Sequence, residues 1–263
     1  MKIEQASVAK SNPVYAEALV NWLYQLADDE LVIGHRDSEW LGMCPDIEGD
    51  VAFSSIAQDE VGHANFYFTL LHELGEKDPD ALAFSRPANS RRNALLLEHE
   101  NHDWAYSVVR HMFYDLWDEL RLKAFSDSSY FPLSRGAARM LREEYYHSLH
   151  MTTWFVQLGS AGGEAKEKMN AAIRKIWPDL GDLFYIDQEK MLLQFGIIQE
   201  SSASMKEKWE EQIKGLVQKA GLTWPGPVPG VQMNGRLGEH SDDLKRLIET
   251  MGEVYTLDPA AKW

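Results

Sequence analysis

The sequence predicts an all-α fold, in which a four-helix bundle is followed by several shorter helices. Proline and glycine are scarce in the first two hundred residues. The segments between them repeat apolar residues at spacings of three and four, which is the periodicity of amphipathic helices and not of strands. Four of these segments are about 24 to 28 residues long and follow one another as two hairpins, which is what a four-helix bundle requires.

The first predicted hairpin lies in the N-terminal part of the chain. Its first helix runs from residue 13 to about residue 40 and ends before a break at residues 42–46, which contains both glycine and proline. Its second helix runs over residues 47–74 and stops at Gly75, because glycine commonly ends a helix.

The second predicted hairpin has the same layout. Its first helix occupies about residues 101–125, and a serine-rich break follows at residues 126–132. Its second helix occupies about residues 133–158 and ends close to the Gly162-Gly163 pair.

The helices become shorter after Gly163, and a proline- and glycine-rich loop occupies residues 224–230. We interpret the chain as a single domain, residues 1–263. Its core bundle spans about residues 13–159, and a helical extension spans about residues 164–263 and packs around the bundle. The predicted helices of the extension are residues 164–177, 180–200, 204–220 and 241–255.

The composition excludes several classes of function. The chain has 26 Lys and Arg against 41 Asp and Glu residues, a formal net charge of −15. This excess of acid argues against binding to nucleic acid or to an anionic membrane, because clustered basic side chains recognise both. The single cysteine, Cys44, excludes an intrachain disulfide framework and a cysteine-rich metal site. No segment resembles a membrane span or a signal peptide, so we expect a cytoplasmic protein.

A Glu-x-x-His motif occurs twice, as Glu60 with His63 and as Glu144 with His147. On a helix this spacing places both side chains on one face, one turn apart. Both motifs interrupt the apolar stripes of their helices, where core residues belong. Burial of unpaired carboxylates costs several kcal/mol, so such a cluster requires a compensating cation or hydrogen bonds.

A solitary acid precedes each motif on the helix before it. Glu30 lies 30 residues before Glu60, and Asp115 lies 29 residues before Glu144. The midpoint of each interval falls in a predicted turn, so each hairpin returns its two acids to the same level. Four carboxylates and two imidazoles are therefore expected to meet at one depth of the bundle.

This donor set predicts a site for two divalent metal ions. Carboxylates with two imidazoles and no thiolate favour iron, with manganese less favoured, and the arrangement is that of ferritin-like di-iron carboxylate proteins. We assign Glu60 and Glu144 as bridging ligands, Glu30 and Asp115 as terminal carboxylates, and one histidine to each metal. Asp118 and Glu119 lie within one helical turn of Asp115 and are alternatives to it.

The remaining polar and aromatic residues are predicted to have structural roles. Cys44 is expected to be inert. Tyr145, Tyr146 and Trp154 are expected to be packing residues, the alternative being that an aromatic ring near the di-iron centre tunes its redox chemistry. Five arginines are candidates for contact with a phosphate: Arg91, Arg92, Arg135, Arg139 and Arg142. The other histidines are interpreted as surface or core hydrogen-bonding residues: His35, His72, His99, His102, His111, His150 and His240.

The sequence resembles the ferritin-like subunits of the bacterial phenylacetyl-CoA epoxidase, and most of all its C-type subunits. The similarity covers nearly the whole chain. It includes the motif LADDEL at residues 26–31 and the motif DEVGHAN at residues 59–65. Further matching segments are residues 38–40, 82–86, 146–147, 158–159, 238–240 and 259–263.

The resemblance implies a multicomponent monooxygenase that epoxidises the aromatic ring of a CoA thioester. Electrons would come from a separate flavin and iron–sulfur reductase, and an A-type subunit would be the catalytic partner in a homo- or hetero-oligomer. C-type subunits resemble metal-free structural partners that have lost most ligands. This chain departs from that pattern, because all six ligand positions are present. The departure suggests either a C-type subunit that still binds metal or a related oxygenase that acts on its own substrate.

Three functions are therefore considered. The first is a di-iron subunit of an oxygenase of this type, working in aromatic-acid catabolism. The second is a structural C-type subunit that stabilises the A-type subunit. Ferritin-like iron handling is the third, and the long C-terminal extension argues against it.

Overall fold

The computed structural model describes residues 2–261, so Lys262 and Trp263, the end of the predicted extension, lie outside it. The all-α prediction is confirmed: among the described residues there are helices and one isolated bridge between Ile3 and Tyr130, but no strand. Four long helices form a ferritin-like bundle. They are α2 (Pro13–Ser38), α3 (Ile47–Leu74), α6 (Trp104–Phe125) and α7 (Phe131–Ser160).

Within residues 2–261, seven shorter helices accompany these four. They are α1 (Ala6–Lys10), α4 (Pro79–Phe84), α5 (Leu95–Glu98), α8 (Gly163–Ile176), α9 (Glu189–Gln194), α10 (Ser202–Lys219) and α11 (Asp242–Leu257). In the described part of the chain, no helix combines the length and the apolarity needed to cross a membrane.

Capping side chains fix where the bundle helices begin. The carboxylate of Asp46 accepts a hydrogen bond from the N–H of Gly49 at 2.6 Å, and Asp103 accepts one from Tyr106 at 3.0 Å. Each cap satisfies a backbone donor that has no partner within the helix. The cap at Asp103 places the start of α6 at Trp104, three residues later than the sequence pattern indicates.

The two hairpins, α2–α3 and α6–α7, pack with their apolar stripes together and bury the core between them. Gly34 allows α2 and α3 to approach closely. A Cβ atom at this position would lie 2.9 Å from the Cβ of Glu60 and 3.2 Å from the carbonyl oxygen of Ala57. Gly34 therefore allows a close approach of α2 and α3 at the level of Glu60.

The predicted helix over residues 180–200 is wrong. The segment forms a 3-10 turn at Gly181–Phe184 and the short helix α9. Two features break it. Asp182 is buried and its carboxylate accepts hydrogen bonds from the N–H groups of Leu95 and Gly235. Gln188 has a left-handed backbone with φ of 52°, which ends any continuous helix there.

The extension is joined to the bundle by buried polar contacts. Trp209 of α10 donates its indole N–H to the carbonyl oxygen of Phe113 at 2.8 Å. Arg236, which is 2% exposed, pairs with Asp29 of α2 at 2.6 Å. Asp29 also pairs with Arg121 of α6 at 2.6 Å. The extension thus supports α2 next to Glu30.

Candidate metal centre

The six side chains predicted as ligands lie together in the middle of the bundle. All are buried, and none is more than 2% exposed. Glu30 comes from α2 and Asp115 from α6, and one Glu-x-x-His motif comes from each of α3 and α7. Within the described residues, three groups of donor atoms could each hold a metal ion. These are Glu30 with Glu60 and His63, Glu60 with Glu144 and His147, and Glu60 with His111 and Asp115. The third of them includes His111, which is not one of the six predicted ligands.

Glu60 and Glu144 lie between the two histidines. The Nδ1 atom of His63 is 3.4 Å from Glu60 and 3.7 Å from Glu144. The Nδ1 atom of His147 is 3.1 Å from Glu144 and 3.4 Å from Glu60. The two motifs therefore face each other with approximate symmetry, and Glu60 belongs to all three donor groups.

Carboxylates from the opposite helix hold the outer nitrogens of both histidines. The Nε2 atom of His63 lies 2.8 Å from Glu143 of α7, and that of His147 lies 3.3 Å from Asp59 of α3. Each acid directly precedes the glutamate of its own motif, and it contacts the histidine of the other. This crosswise contact directs both Nδ1 atoms inward, as is usual for metal-binding histidines.

The buried oxygens of the cluster test whether metal ions fit. Both carboxylate oxygens of Glu60 and of Glu144 lack a hydrogen-bond partner, as do Glu30 Oε2 and Asp115 Oδ2. Buried polar atoms are nearly always satisfied, so a convergent group of buried oxygens without hydrogen-bond partners is a donor arrangement that cations would satisfy. The residues present fit a pair of divalent metal ions.

The pKa shifts at the site also indicate that its buried carboxylates need compensating positive charge. Burial and the neighbouring charge of Glu60 raise the pKa of Glu30 to about 8. Burial also raises the pKa values of Glu144 and Asp115. For His147, burial lowers the pKa, but the charge of Glu144 outweighs it and the pKa is raised overall. Burial therefore makes ionisation of these carboxyl groups costly unless cations lie nearby.

Among the three acids considered on α6, only Asp115 belongs to a donor group with Glu60 within the described residues. Asp118 is bonded to Arg121 at 2.5 Å. Glu119 pairs with Lys123 at the surface side of the helix. Asp115 itself contacts the Nδ1 atom of His111. Membership of a donor group with Glu60 supports Asp115, and not Asp118 or Glu119, as the α6 ligand.

Sequence reasoning missed the residues that support the ligands. His111, expected only to form hydrogen bonds, does so between Asp115 and Asp37, with 2.8 Å to the latter. The sequence did contain an indication of this contact, because His111 lies one helical turn before Asp115 on the same face of α6. Asp59 and Glu143 had a clearer one, because an acid directly precedes the glutamate of each motif.

A tyrosine and an arginine hold Glu30. Tyr114 donates its hydroxyl to Glu30 at 2.8 Å. Arg121 donates to the same hydroxyl at 2.8 Å and lies 3.8 Å from Glu30. Both are buried side chains of α6. They fix the orientation of Glu30 and place one permanent positive charge beside the cluster.

A cavity of about 510 Å³ lies between α3 and α7, and we call it the α3–α7 cavity. Its wall includes His147 and Asp59, so it reaches the edge of the cluster. Tyr146 lines its rim and is 68% exposed, and Tyr145 is 60% exposed. The prediction that these tyrosines are packing residues is wrong: with Glu144 and His147 pointing inward, the two positions between them on the helix point outward.

The other residues with predicted roles differ in how exposed they are. Arg91 is 1% exposed and pairs with Asp28, so it is not accessible to a phosphate. The three arginines of α7 are exposed: Arg135, Arg139 and Arg142. Trp154 packs edge-on against Trp104, with ring centroids 5.5 Å apart, as expected. Burial and the charge of Asp50 raise the pKa of Cys44 to about 11, so its thiol stays protonated.

The fold and the cluster together define a ferritin-like helical bundle with a buried carboxylate and histidine centre. Residues 2–263 match the family of phenylacetic acid catabolic proteins (PaaA_PaaC), and the chain belongs to this family. It is similar to the C-type subunit of the 1,2-phenylacetyl-CoA epoxidase of Escherichia coli (strain K12). The two are 28% identical over 246 residues, which cover 93% of this chain and 99% of the relative. The chain is thus a C-like subunit of this family.

Proposed function

We propose that this chain is a di-iron subunit of a multicomponent monooxygenase of the phenylacetyl-CoA epoxidase type. The observation that carries the proposal is the cluster of unsatisfied buried oxygens on Glu30, Glu60, Asp115 and Glu144. The substrate would be an aromatic CoA thioester. The partners would be an A-type subunit and a flavin and iron–sulfur reductase. Membership of a family of phenylacetic acid catabolic proteins supports this assignment.

Each residue of the cluster has a defined part in this proposal. Glu60 and Glu144 would bridge two iron ions, because each faces both histidines. Glu30 and Asp115 would be terminal ligands, and His63 and His147 would bind one metal each. When bound, the irons would supply the oxygen-dependent redox chemistry that side chains alone do not provide. Manganese fits the same donors less well.

The protein would contribute orientation and a dry environment. Asp59 and Glu143 would hold the imidazoles, and Tyr114 with Arg121 would hold Glu30. Buried apolar side chains surround the cluster and would limit the access of water to it. The α3–α7 cavity provides the route by which a small molecule would reach the edge of the centre.

The second candidate is a structural C-type subunit that stabilises the A-type subunit. The similarity to the C-type subunit of the Escherichia coli epoxidase favours it. Arg121 also favours it, because this arginine lies 3.8 Å from Glu30 and balances part of the buried charge without metal. In this role the six ligands would be retained as a buried polar network.

Metal reconstitution distinguishes the two candidates. After incubation with Fe(II) and removal of excess metal, we expect about two irons per chain. We expect the variant Glu60→Ala to lose most of this iron, because Glu60 belongs to every donor group. The control variant Glu167→Ala, on the exposed side of α8, should bind as much iron as the wild type.

The assembled enzyme provides the second readout. With A-type subunit and reductase present, the di-iron proposal predicts that Glu60→Ala abolishes the oxidation that depends on this chain. Full activity of the assembled Glu60→Ala enzyme would favour the structural role. A wild-type chain that stays free of metal after reconstitution would contradict the di-iron proposal.

A further inference from the structure

The outward sides of α3 and α7 form a surface unlike the rest of this acidic chain. They meet at the α3–α7 cavity, to which both helices contribute wall residues. From Val51 to Thr69, the side chains of α3 that reach solvent are uncharged except for Asp59, which is partly exposed and contacts His147. This is unusual in a chain in which 25% of residues are charged. Cores of protein interfaces are depleted in charged residues in the same way.

The outward side of α7 is basic. Arg135, Arg139 and Arg142 follow one another at spacings of four and three residues and are all exposed. Within residues 2–261, Arg135 and Arg142 form no ion pair with an acidic side chain. Arg139 lies 3.7 Å from Glu143, whose carboxylate already contacts His63 at 2.8 Å. A row of three arginines with so little compensation in a chain of net charge −15 attracts an acidic partner.

Large apolar and aromatic side chains lie beside this basic row. Tyr146 is 68% exposed, Tyr145 60% and Leu149 52%, and Val51 on the facing side of α3 is 64% exposed. Tyrosine and arginine are enriched among the residues that dominate binding energy at protein interfaces. We call the exposed side chains of Val51–Thr69 and Arg135–Leu149 the α3–α7 face.

We propose that the α3–α7 face docks an acidic, partly apolar surface of a second protein, and that this protein is the A-type subunit. The inference rests on the partner part of the proposed function and not on the metal. A second copy of this chain is a poorer occupant, because symmetric docking would bring two basic rows together. Docking would also cover the α3–α7 cavity and close the path from solvent to His147.

Binding of the purified, full-length chain to purified A-type subunit tests this inference. The double variant Arg135→Glu, Arg142→Glu reverses two charges at exposed positions, and Tyr146→Ala removes an exposed ring. We expect each variant to bind about tenfold more weakly or worse. The matched control is Arg174→Glu on α8, an exposed arginine away from the face, and it should bind within about twofold of the wild type.

A second measurement does not depend on any variant. In the wild-type complex, amide hydrogen exchange should slow most for the neighbouring segments of α3 and α7, residues 51–69 and 135–149.

The salt dependence of binding is a third measurement, and it uses the double variant. Raising the salt concentration should weaken binding of the wild type more than binding of the double variant, because the double variant has lost the positive charges that salt would screen.

Several results would overturn the inference. These are no binding of the wild type, wild-type affinity in both face variants, protection located on other helices, self-association of the chain through this face, or a basic row that binds CoA alone and not the A-type partner. The iron content of each sample is measured in parallel. Binding through the face by a chain that stays metal-free after Fe(II) reconstitution would support this inference while contradicting the di-iron proposal.

Discussion

The imidazole rings of His63 and His147 are each held by a carboxylate of the opposite helix, Glu143 and Asp59 respectively. Such contacts fix the orientation of a ring and increase the basicity of its inward nitrogen. In a metal centre, the outer acids would therefore act through the histidines and would not be ligands themselves. They also tie α3 to α7 at the level of the cluster.

Removal of either outer acid should weaken metal binding. We expect Asp59→Ala and Glu143→Ala each to lower the affinity for metal by about 10- to 100-fold, because one imidazole loses its orientation. Titration of the apo protein with Fe(II) measures this effect. The surface variant Glu167→Ala is the control, and unchanged affinity in both outer-acid variants would contradict the supporting role.

That the six predicted ligands lie together was predictable at this scale, because a repeated motif with matched upstream acids is visible in the sequence. The residues that hold the predicted ligands in place were less predictable. Tyr114 and Arg121 reach Glu30 from another helix, and their place depends on the rotation of α6 against α2. Tyrosine and arginine occur on amphipathic helices for many other reasons, so the presence of these two residue types did not indicate a contact with Glu30.

At the scale of the elements, the contact of α2 with α3 sets the depth of Glu60. Gly34 is the residue that permits it, since a Cβ atom there would lie 2.9 Å from the Cβ of Glu60 and 3.1 Å from the side chain of Val61. These atoms belong to the neighbouring helix and have little freedom to move. A larger residue would separate the helices at the centre.

We expect Gly34→Ala to destabilise the protein by about 1 to 3 kcal/mol, because overpacking outweighs the gain in helix propensity. It should also lower iron content by displacing Glu60. Gly215 on α10 provides the control, since a Cβ atom there meets nothing within 4 Å. Gly215→Ala should be neutral or stabilising by up to about 1 kcal/mol. Equal stability of Gly34→Ala and the wild type in chemical denaturation would refute this account of the helix contact.

The long helices were predictable because apolar periodicity and capping residues agree over many turns. The structure of residues 180–200 was not predictable in this way. Its apolar spacing fits a helix, but the buried carboxylate of Asp182 binds backbone N–H groups from two distant segments. Such tertiary hydrogen bonds override local propensity, and nothing in the spacing of residues reports them.

At the scale of the whole molecule, ion pairs join the C-terminal extension to the bundle. His99 is a clear case, because its ring lies between Asp179 after α8 and Asp243 of α11, at 3.1 Å and 3.2 Å. Burial lowers the pKa of His99, but the hydrogen bonds to these two acids outweigh it and raise the pKa overall. The protonated ring is therefore favoured in the folded state.

Because the folded-state pKa of His99 is raised, its contribution to stability is fully present below the ordinary pKa of about 6.5 and is lost as the pH rises through the folded value. We expect the difference in free energy of unfolding between the wild type and His99→Gln to shrink as the pH rises from about 6 to about 9. Urea denaturation across this range measures it. A difference that is constant with pH would exclude the pairing as a source of stability.

The contacts of the extension could not be predicted from the sequence. Arg236 pairs with Asp29, more than two hundred residues earlier in the chain, with 2.6 Å between their charged atoms. The sequence pattern predicts that helices follow the bundle, but not which acid of α2 they reach. Burial of such pairs is visible only after the fold is known.

The most direct test of the central claim is an anomalous-scattering map at the iron absorption edge, from crystals of the Fe(II)-reconstituted protein. Our account predicts two peaks within the cluster of Glu30, Glu60, His63, Asp115, Glu144 and His147. Glu60 and Glu144 would both lie between the two peaks. A map without peaks in this cluster, or with peaks only at surface acids, would contradict the claim that this chain holds a di-iron centre.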